Sequence, residues 1–451
     1  MKNAKAFPAS ASLSAALSGE VHVPGDKSIS HRSLILSSQA IGMSSISGLL
    51  EGEDVLRTAA ALQQMGVKIS RISGDEWQVH GVGIGGLHEA ADVLDMGNSG
   101  TSTRLLMGLL ASYPFVSVLT GDASLRKRPM RRVLEPLQQI GASSLGHSGE
   151  RLPLAFKGAE MPVPIHYKLP VASAQVKSAL LLAGLNIPGK TIVEEPIPTR
   201  DHTERMLLAM GAEIEITNAE NSLRRIAIKG FPSLKTMHWQ VPGDPSSAAF
   251  IVAAAAAIPG SNVKIKNICV NPLRMGFYEA LIAMGADIKF SAEKIICGEP
   301  VADIEVKGKS LRAVHCKAES AASMIDEYPI LAVLAANADG VSHFEGLAEL
   351  KVKESNRLQA IADGLIANSV AVEVGEDWLK IHGVPGAVLG GGNVVTHLDH
   401  RISMSFLIMG LFAKAPVSVD DTQMIDTSFP GFISLLNSLG ANIKQNSSGA
   451  I

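Results

Sequence analysis

Two carboxylates in this sequence sit where a proton could be moved. Asp326 lies in Ser323-Met324-Ile325-Asp326-Glu327-Tyr328-Pro329, just ahead of the apolar run Ile330–Ala336. Glu354 is embedded among cations in Lys351-Val352-Lys353-Glu354-Ser355-Asn356-Arg357. An acid beside a fixed lysine or arginine can act as a tuned acid or base. The plainer reading of Asp326 is a helix N-cap, a role that can coexist with catalysis. Lys353 and Arg357 stand at i,i+4 spacing, on one face of a helix, where like charges repel mildly unless an anion or Glu354 relieves them.

Three further segments read as helix starts able to collect anions. Pro24-Gly25-Asp26-Lys27-Ser28 is a turn followed by Ser30, Ser33 and an apolar run. Gly97-Asn98-Ser99-Gly100-Thr101-Ser102-Thr103-Arg104 and Ala172-Ser173-Ala174-Gln175-Val176-Lys177 repeat the logic. Free amides and the helix dipole attract negative charge there, and a nearby Lys or Arg adds to it. Any one of the three is an ordinary cap; three of them, each with a cation, favour a site. The first is not a Walker loop, because Asp26 occupies the glycine position before the lysine. The cluster Arg126, Lys127, Arg128, Arg131 and Arg132 reads mostly as a solvated loop, but Pro129 fixes the turn so that at least one arginine can face inward. His397-Leu398-Asp399-His400-Arg401 lacks a third ligand and a zinc spacing, so ordinary hydrogen bonding is expected there and no metal. Cys269, Cys297 and Cys316 are too sparse for a disulfide framework or a zinc site.

These segments need elements to position them, and the elements repeat. An apolar helical stretch, a small-residue turn and an alternating strand recur as 61–69, 136–144, 206–216, 280–290, 364–374 and 434–445. The turn residues are Gly66, Gly141, Gly211, Gly285, Ser369 and Gly440. Each glycine is placed to end its helix in a left-handed cap. The spacing leaves room in each unit for two helices and four strands. A longer repeat returns Val23-Pro24-Gly25-Asp26-Lys27-Ser28 as Val241-Pro242-Gly243-Asp244-Pro245-Ser246. The chain therefore reads as two lobes of three units, residues 21–240 and residues 1–20 plus 241–451.

Composition sets the outer bounds. With 451 residues, 46% of them hydrophobic, the chain can bury a sizeable core. A net charge of −3 gives no basic surplus for nucleic acid, so anions must be met by local clusters. The longest apolar run, Ala248–Ile258, is too short to span a bilayer, and the N-terminal stretch shows no secretory core, so no membrane role and a cytoplasmic location are expected. Read this way, Lys and Arg of both lobes serve an enzyme acting on a small, multiply anionic substrate.

At these residues the sequence resembles the 3-phosphoshikimate 1-carboxyvinyltransferase (EPSP synthase) family. Leu94-Asp-Met-Gly-Asn-Ser-Gly-Thr-Ser-Thr-Arg104 and Lys351-Val-Lys-Glu-Ser-Asn-Arg357 resemble its signatures, in order within a likeness running from Pro24 to Pro430. Arg200-Asp-His-Thr, Met324-Ile-Asp-Glu-Tyr-Pro and Thr396-His-Leu-Asp-His-Arg401 resemble the bacterial class II subgroup. The resemblance implies an inside-out α/β barrel of two lobes, each of three βαβαββ units. It implies transfer of the enolpyruvyl group of phosphoenolpyruvate to the 5-hydroxyl of shikimate 3-phosphate, through a tetrahedral ketal phosphate, without organic cofactor or metal, by a monomer. By resemblance Lys27, Asp326 and Glu354 are catalytic. Lys27, Ser28, Arg32, Ser173, Ala174, Gln175, Arg200, Asp326 and Lys353 meet shikimate 3-phosphate. Lys27, Gly100, Arg128, Gln175, Arg357, His400 and Arg401 meet phosphoenolpyruvate. The resemblance also implies inhibition by glyphosate at the phosphoenolpyruvate site, where tolerant class II relatives carry alanine in place of Gly100.

Three positions depart from the family pattern: Ala174 for a second serine, Asn356 for an aspartate and Thr427 for a lysine of the class I subgroup. The nearest alternative is the UDP-N-acetylglucosamine 1-carboxyvinyltransferases, which share fold and donor but typically carry a mobile-loop cysteine; here no cysteine precedes Cys269. A non-catalytic anion-binding relative would have no reason to set Asp326, Lys353 and Glu354 beside basic clamps.

Overall fold

The structure is a computed structural model and describes residues 6–147, 150–218 and 223–445. Six four-stranded sheets account for its described strands. One unit illustrates the pattern. The strand Leu94–Asp95 leads through the helix Gly100–Leu110 to the strand Val116–Thr120; the helix Arg131–Ile140 and the strands Ser143–His147 and Arg151–Lys157 follow. Leu94 lies beside Leu119 in a parallel pair, and Leu119 lies opposite Leu154 in an antiparallel one. This βαβαββ path gives one parallel pair joined by a helical crossover, then a hairpin on the far side.

The chain divides into two compact units. The first lobe is Gly25–Pro242 with Ile295–Glu299; the second is the chain up to Pro24, Gly243–Lys294 and the chain from Pro300 onward. In the first lobe the opening unit takes its edge strand from the far end, where Trp239 pairs in parallel with Ile46. In the second lobe Ser18–Val21 pairs in parallel with Asn262–Cys269, so residues 21–24 go with this lobe. Ala9–Ser12 lies between Val417–Val419 and Asn442–Gln445, completing the sheet of the last unit.

Each lobe buries three helices, one to a unit. In the first these are Lys27–Ser38, Gly100–Leu110 and Ala174–Gly184; in the second, Pro245–Ala257, Tyr328–Ala336 and His400–Gly410. A helix apolar on all sides must lie inside, and every residue of Pro245–Ala257 is buried, which accounts for the alanine-rich run. Helices Gly100–Leu110 and Ala174–Gly184 approach so closely that a Cβ on Gly108 would lie 2.5 Å from the Ala179 Cα. Among the described residues no helix is long and apolar enough to cross a membrane.

The six repeat turns share one backbone conformation. Gly66, Gly141, Gly211, Gly285 and Gly440 have φ between 90° and 110°, and Ser369, the exception in sequence, has φ 63°. A side chain in this left-handed region costs about 1 kcal/mol, and glycine returns part of that through its greater freedom when unfolded. Ser369 is exposed. Ser369→Gly is therefore expected to stabilise the second lobe by a few tenths to about 1 kcal/mol, read as a higher denaturant midpoint; an unchanged or lower midpoint would count against the turn assignment.

Candidate active site

In the first lobe the capping residues of the buried helices place the candidate groups. Asp26 Oδ1 accepts from Ile29 N at 2.8 Å, Ser99 Oγ from Ser102 N at 3.1 Å and Ser173 Oγ from Val176 N at 3.4 Å. Lys27, Gly100 and Ala174 are accordingly the first residues of their helices. Gly25 must be glycine, because a Cβ there would lie 2.0 Å from the Gly48 carbonyl oxygen. Lys27 Nζ pairs with Asp54 of the neighbouring helix Glu53–Gln64. A buried polar chain supports that helix: His31 Nδ1 meets Thr58 Oγ1 at 2.8 Å, Thr58 Oγ1 meets Ser102 Oγ at 2.6 Å, and Ser102 Oγ lies 3.2 Å from the Asp54 carbonyl oxygen.

Around Gly100 two arginines and a glutamine gather. Arg104 Nη1 donates to Gln175 Oε1 at 2.8 Å, and Gln175 Nε2 donates to Thr101 Oγ1 at 3.1 Å. Arg128 Nη2 reaches Asn98 Oδ1 at 3.4 Å. A Cβ on Gly100 would lie 2.8 Å from Arg104 Nη1 and 3.1 Å from Arg128 Nη1. Of the basic cluster, Arg126, Lys127, Arg131 and Arg132 are exposed, and Arg128 is half-buried beside Pro129. Arg32 is buried, donating to Thr203 Oγ1 at 2.7 Å, Ser178 Oγ at 2.7 Å and the Ser28 carbonyl at 3.0 Å. Burial pushes its guanidinium down to about 10, with Glu204 and Asp26 opposing, so it stays charged at neutral pH. Arg200, half-buried, ends the loop before the helix His202–Ala209.

Lys177 does not belong with the anion-collecting cations. Its side chain is fully buried, with Nζ 3.1 Å from Glu195 Oε1 and 2.8 Å from Glu204 Oε1. It stands one helical turn inside the cap, pointing into the lobe, where only paired charge is tolerated.

In the second lobe one buried guanidinium organises the carboxylates. Arg357, 1% exposed, lies 2.8 Å from Asp399 Oδ2 through Nε, 3.2 Å from Asp326 Oδ1 through Nη1 and 2.5 Å from Glu354 Oε2 through Nη2. Lys353 Nζ reaches the same Asp326 Oδ1 at 3.0 Å. Arg401 Nη1 donates to the Asp326 carbonyl at 2.9 Å, and His400 is buried beside it. Lys353 and Arg357 do not share a helical face: Lys353 is extended, and Asn356 caps the helix that begins at Arg357. What brings the two cations together is their common carboxylate. Asp326 is in the turn after the helix Ala321–Met324, and the cap position of Tyr328–Ala336 is Glu327, so Asp326 is not an N-cap.

Charge balance follows from these contacts. Burial opposes the charge on Arg357, but Asp399, Glu354 and Asp326 outweigh it and hold the group well above its ordinary value. Burial would raise the Asp399 carboxyl, and Arg357 outweighs that, keeping it below the ordinary range. Burial lowers His400 to about 4, aided by Arg401 and opposed by Asp399. Burial and Lys27 lower His31 to about 3.

The chain has close counterparts. The family model for EPSP synthase (3-phosphoshikimate 1-carboxyvinyltransferase) matches residues 12–436. The chain is 54% identical to the 3-phosphoshikimate 1-carboxyvinyltransferase of Paramagnetospirillum magneticum, over 97% of this chain and 98% of that one. It is 52% identical to that of Paracoccus denitrificans, over 98% and 99%. The solved structure of EPSP synthase from Acinetobacter baumannii superposes with a TM-score of 0.87 at 42% identity, covering 98% of this chain and 100% of that one. The chain belongs to the EPSP synthase family. Its α/β architecture, with six four-stranded sheets, is that of an EPSP synthase.

The three departures from the EPSP synthase pattern each have a local setting. Asn356 Oδ1 accepts from Gln359 N at 3.4 Å, the capping role an aspartate would fill. Ala174 follows the capping serine directly, where the backbone amides supply the polar groups. Thr427 Oγ1 donates to the Met424 carbonyl at 2.7 Å. Asp54 does not stand out in the sequence, and Asp399 stands there only within a stretch where ordinary hydrogen bonding is expected. Asp54 sits in an acidic first turn, and Asp399 is the cap of the helix His400–Gly410, its Oδ1 accepting from Arg401 N at 3.0 Å. Their pairing with Lys27 and Arg357 depends on helices distant in sequence.

The buried histidines give a pH dependence. A group depressed in the folded state favours folding above its unfolded value of about 6.5 and loses that contribution as pH falls towards the folded value. Between pH 7 and pH 5, His31 in the first lobe and His400 in the second should each cost about 2 kcal/mol of stability, because only the unfolded chain takes up the proton. Urea unfolding at the two pH values tests this. His31→Gln should flatten the first-lobe dependence; an equally steep dependence would rule out His31 as its source.

Proposed function

We propose that this chain transfers the enolpyruvyl group of phosphoenolpyruvate to the 5-hydroxyl of shikimate 3-phosphate, releasing phosphate, in aromatic amino acid biosynthesis. The observation that carries the reading is Asp326, a carboxylate held by Lys353 and Arg357 with Glu354 on the same arginine. A carboxylate so held keeps a fixed direction and accepts a proton from an approaching hydroxyl. As the 5-oxygen bonds to C2 of phosphoenolpyruvate, its proton passes to Asp326 and the methylene carbon gains one from the Glu354 or Lys27 side. Loss of that carbon's proton then expels phosphate and restores the double bond. Carboxylates stabilise the cationic character that develops at C2.

The remaining residues divide by substrate. Ser28, Arg32, Ser173, Ala174, Gln175 and Arg200 serve shikimate 3-phosphate, while Gly100, Arg128, Arg357, His400 and Arg401 serve phosphoenolpyruvate. Lys27 serves both. Helix-start amides and cations in the first lobe suit a phosphate monoester. The reaction so written needs no organic cofactor and no metal ion, and we place it in the cytoplasm, carried out by a monomer.

Phosphate release from phosphoenolpyruvate should require shikimate 3-phosphate and fail with UDP-N-acetylglucosamine; the reverse would assign the alternative acceptor. Lys27→Met, Asp326→Ala and Glu354→Ala should each lower turnover at least ~100-fold, the scale of a positioned acid or base. Near wild-type turnover in any of them would remove its role.

Glyphosate should inhibit this enzyme, and Gly100→Ala should weaken it. The added methyl meets the ends of Arg104 and Arg128, and moving Arg104 breaks its hydrogen bond to Gln175. Overpacking of this kind costs about 1–3 kcal/mol, and the longer ligand should bear most of it. Paired inhibition curves at matched phosphoenolpyruvate should show the inhibition constant rising ~10-fold or more beyond the Michaelis constant. A wild type already indifferent to millimolar glyphosate would sink this expectation.

A further inference from the structure

The second lobe carries a group of metal-ligating side chains that the reaction does not use. His315 and His343 lie directly side by side where the strand His315–Cys316 pairs in parallel with Gly340–Phe344. Their rings are stacked, with centroids 4.9 Å apart and planes 11° from parallel. Glu345 continues the pairing, its amide donating to the Cys316 carbonyl at 3.0 Å. One oxygen, Glu345 Oε1, faces both rings, 3.0 Å from His315 Nε2 and 3.6 Å from His343 Nδ1. Trp378 sets its edge against His343 at 5.8 Å, which restricts the ring. A cavity of about 280 Å³ opens beside them, lined by His343, Glu345, Asp377, Trp378 and Lys380.

One carboxylate oxygen is shared by two imidazoles. A divalent cation would satisfy all three groups at once. Two bonds of about 2.1 Å at a tetrahedral angle put their donor atoms roughly 3.4 Å apart. The two nitrogen–oxygen gaps, 3.0 and 3.6 Å, bracket that separation. All three ligand atoms lie within 4.8 Å of one another, so the third edge closes with a small side-chain shift. Two imidazoles and one carboxylate select zinc, nickel or copper over magnesium or calcium.

We propose that His315, His343 and Glu345 form a site for a divalent transition-metal ion on the second lobe. It ties together two strands at the ends from which the chain runs on to Asp326 and to Lys353 and Glu354. Its effect is bracing rather than chemistry, and it does not depend on which reaction the enzyme performs.

The test uses the full-length protein stripped of metal and titrated calorimetrically with Ni²⁺, with His315→Ala, His343→Ala and Glu345→Gln alongside. Wild type should bind one ion per chain at a saturable site, and each variant should weaken binding at least ~10-fold, the lower end of the loss seen even for partners that only support a metal ligand. Co²⁺ should give a visible spectrum without thiolate charge transfer. Ni²⁺ should raise the melting temperature of wild type but not of the variants, whose metal-free melting and turnover should match wild type. Equal binding by wild type and variants, a thiolate band pointing to Cys297, or no saturable binding would overturn the proposal.

Discussion

Arg357 is a full positive charge removed from water, and much of the second lobe is arranged around that fact. Taking such a group out of solvent is expensive unless it is paired and hydrogen-bonded. Three carboxylates from three chain segments satisfy it: Asp399 at a helix cap, Glu354 just before its own helix and Asp326 in a turn. Removing one partner of such a buried pair commonly costs about 3–5 kcal/mol. The guanidinium therefore fixes the carboxylates as firmly as they fix it. Lys353 joins on the solvent side of Asp326, which leaves that carboxylate constrained in direction yet not sealed in. Structural pairing and the proton chemistry we propose use the same atoms here.

The first lobe reaches the same end with helix starts. Each unit of the lobe has a buried helix whose start follows the end of a strand; Gly100–Leu110 and Ala174–Gly184 are the crossovers of their parallel pairs, and Lys27–Ser38 follows Ser18–Val21. Caps Asp26, Ser99 and Ser173 each take one amide of the first turn, the turn in which Lys27, Gly100 and Gln175 stand. The polar chain from His31 through Thr58 to Ser102 links three helices inside the lobe, and Asp54, on the middle one, holds Lys27.

What could be read from sequence was what is local. The helix-turn-strand repeat is legible because a left-handed turn demands glycine and tolerates little else, and Ser369 keeps the conformation where the sequence breaks the rule. Caps are legible because Ser, Asp and Asn announce themselves within one turn of the residue they hold. Contacts across elements were not. Lys353 and Arg357 suggested a shared helical face by spacing, yet a carboxylate brought from elsewhere in the fold joins them. Lys177 looked like Lys27 in its motif, and only the buried Glu195 and Glu204 reveal it as structural. His315 and His343 become neighbours only through strand register.

The strand Ala9–Ser12 has a consequence for the order of assembly. It occupies an interior position in a sheet whose other strands come from Asn393–Val394, Val417–Val419 and Asn442–Gln445. Ser18–Val21 likewise waits for Asn262–Cys269. On a ribosome, the segment Gly25–Pro242 can complete nearly all its pairings while the opening strands have no partner in reach. These strands, made before Gly25–Pro242, are placed after it. Their composition suits the wait: Ala-Ser-Ala-Ser and Ser-Gly-Glu-Val are short, small and weakly hydrophobic, poor templates for the wrong strand.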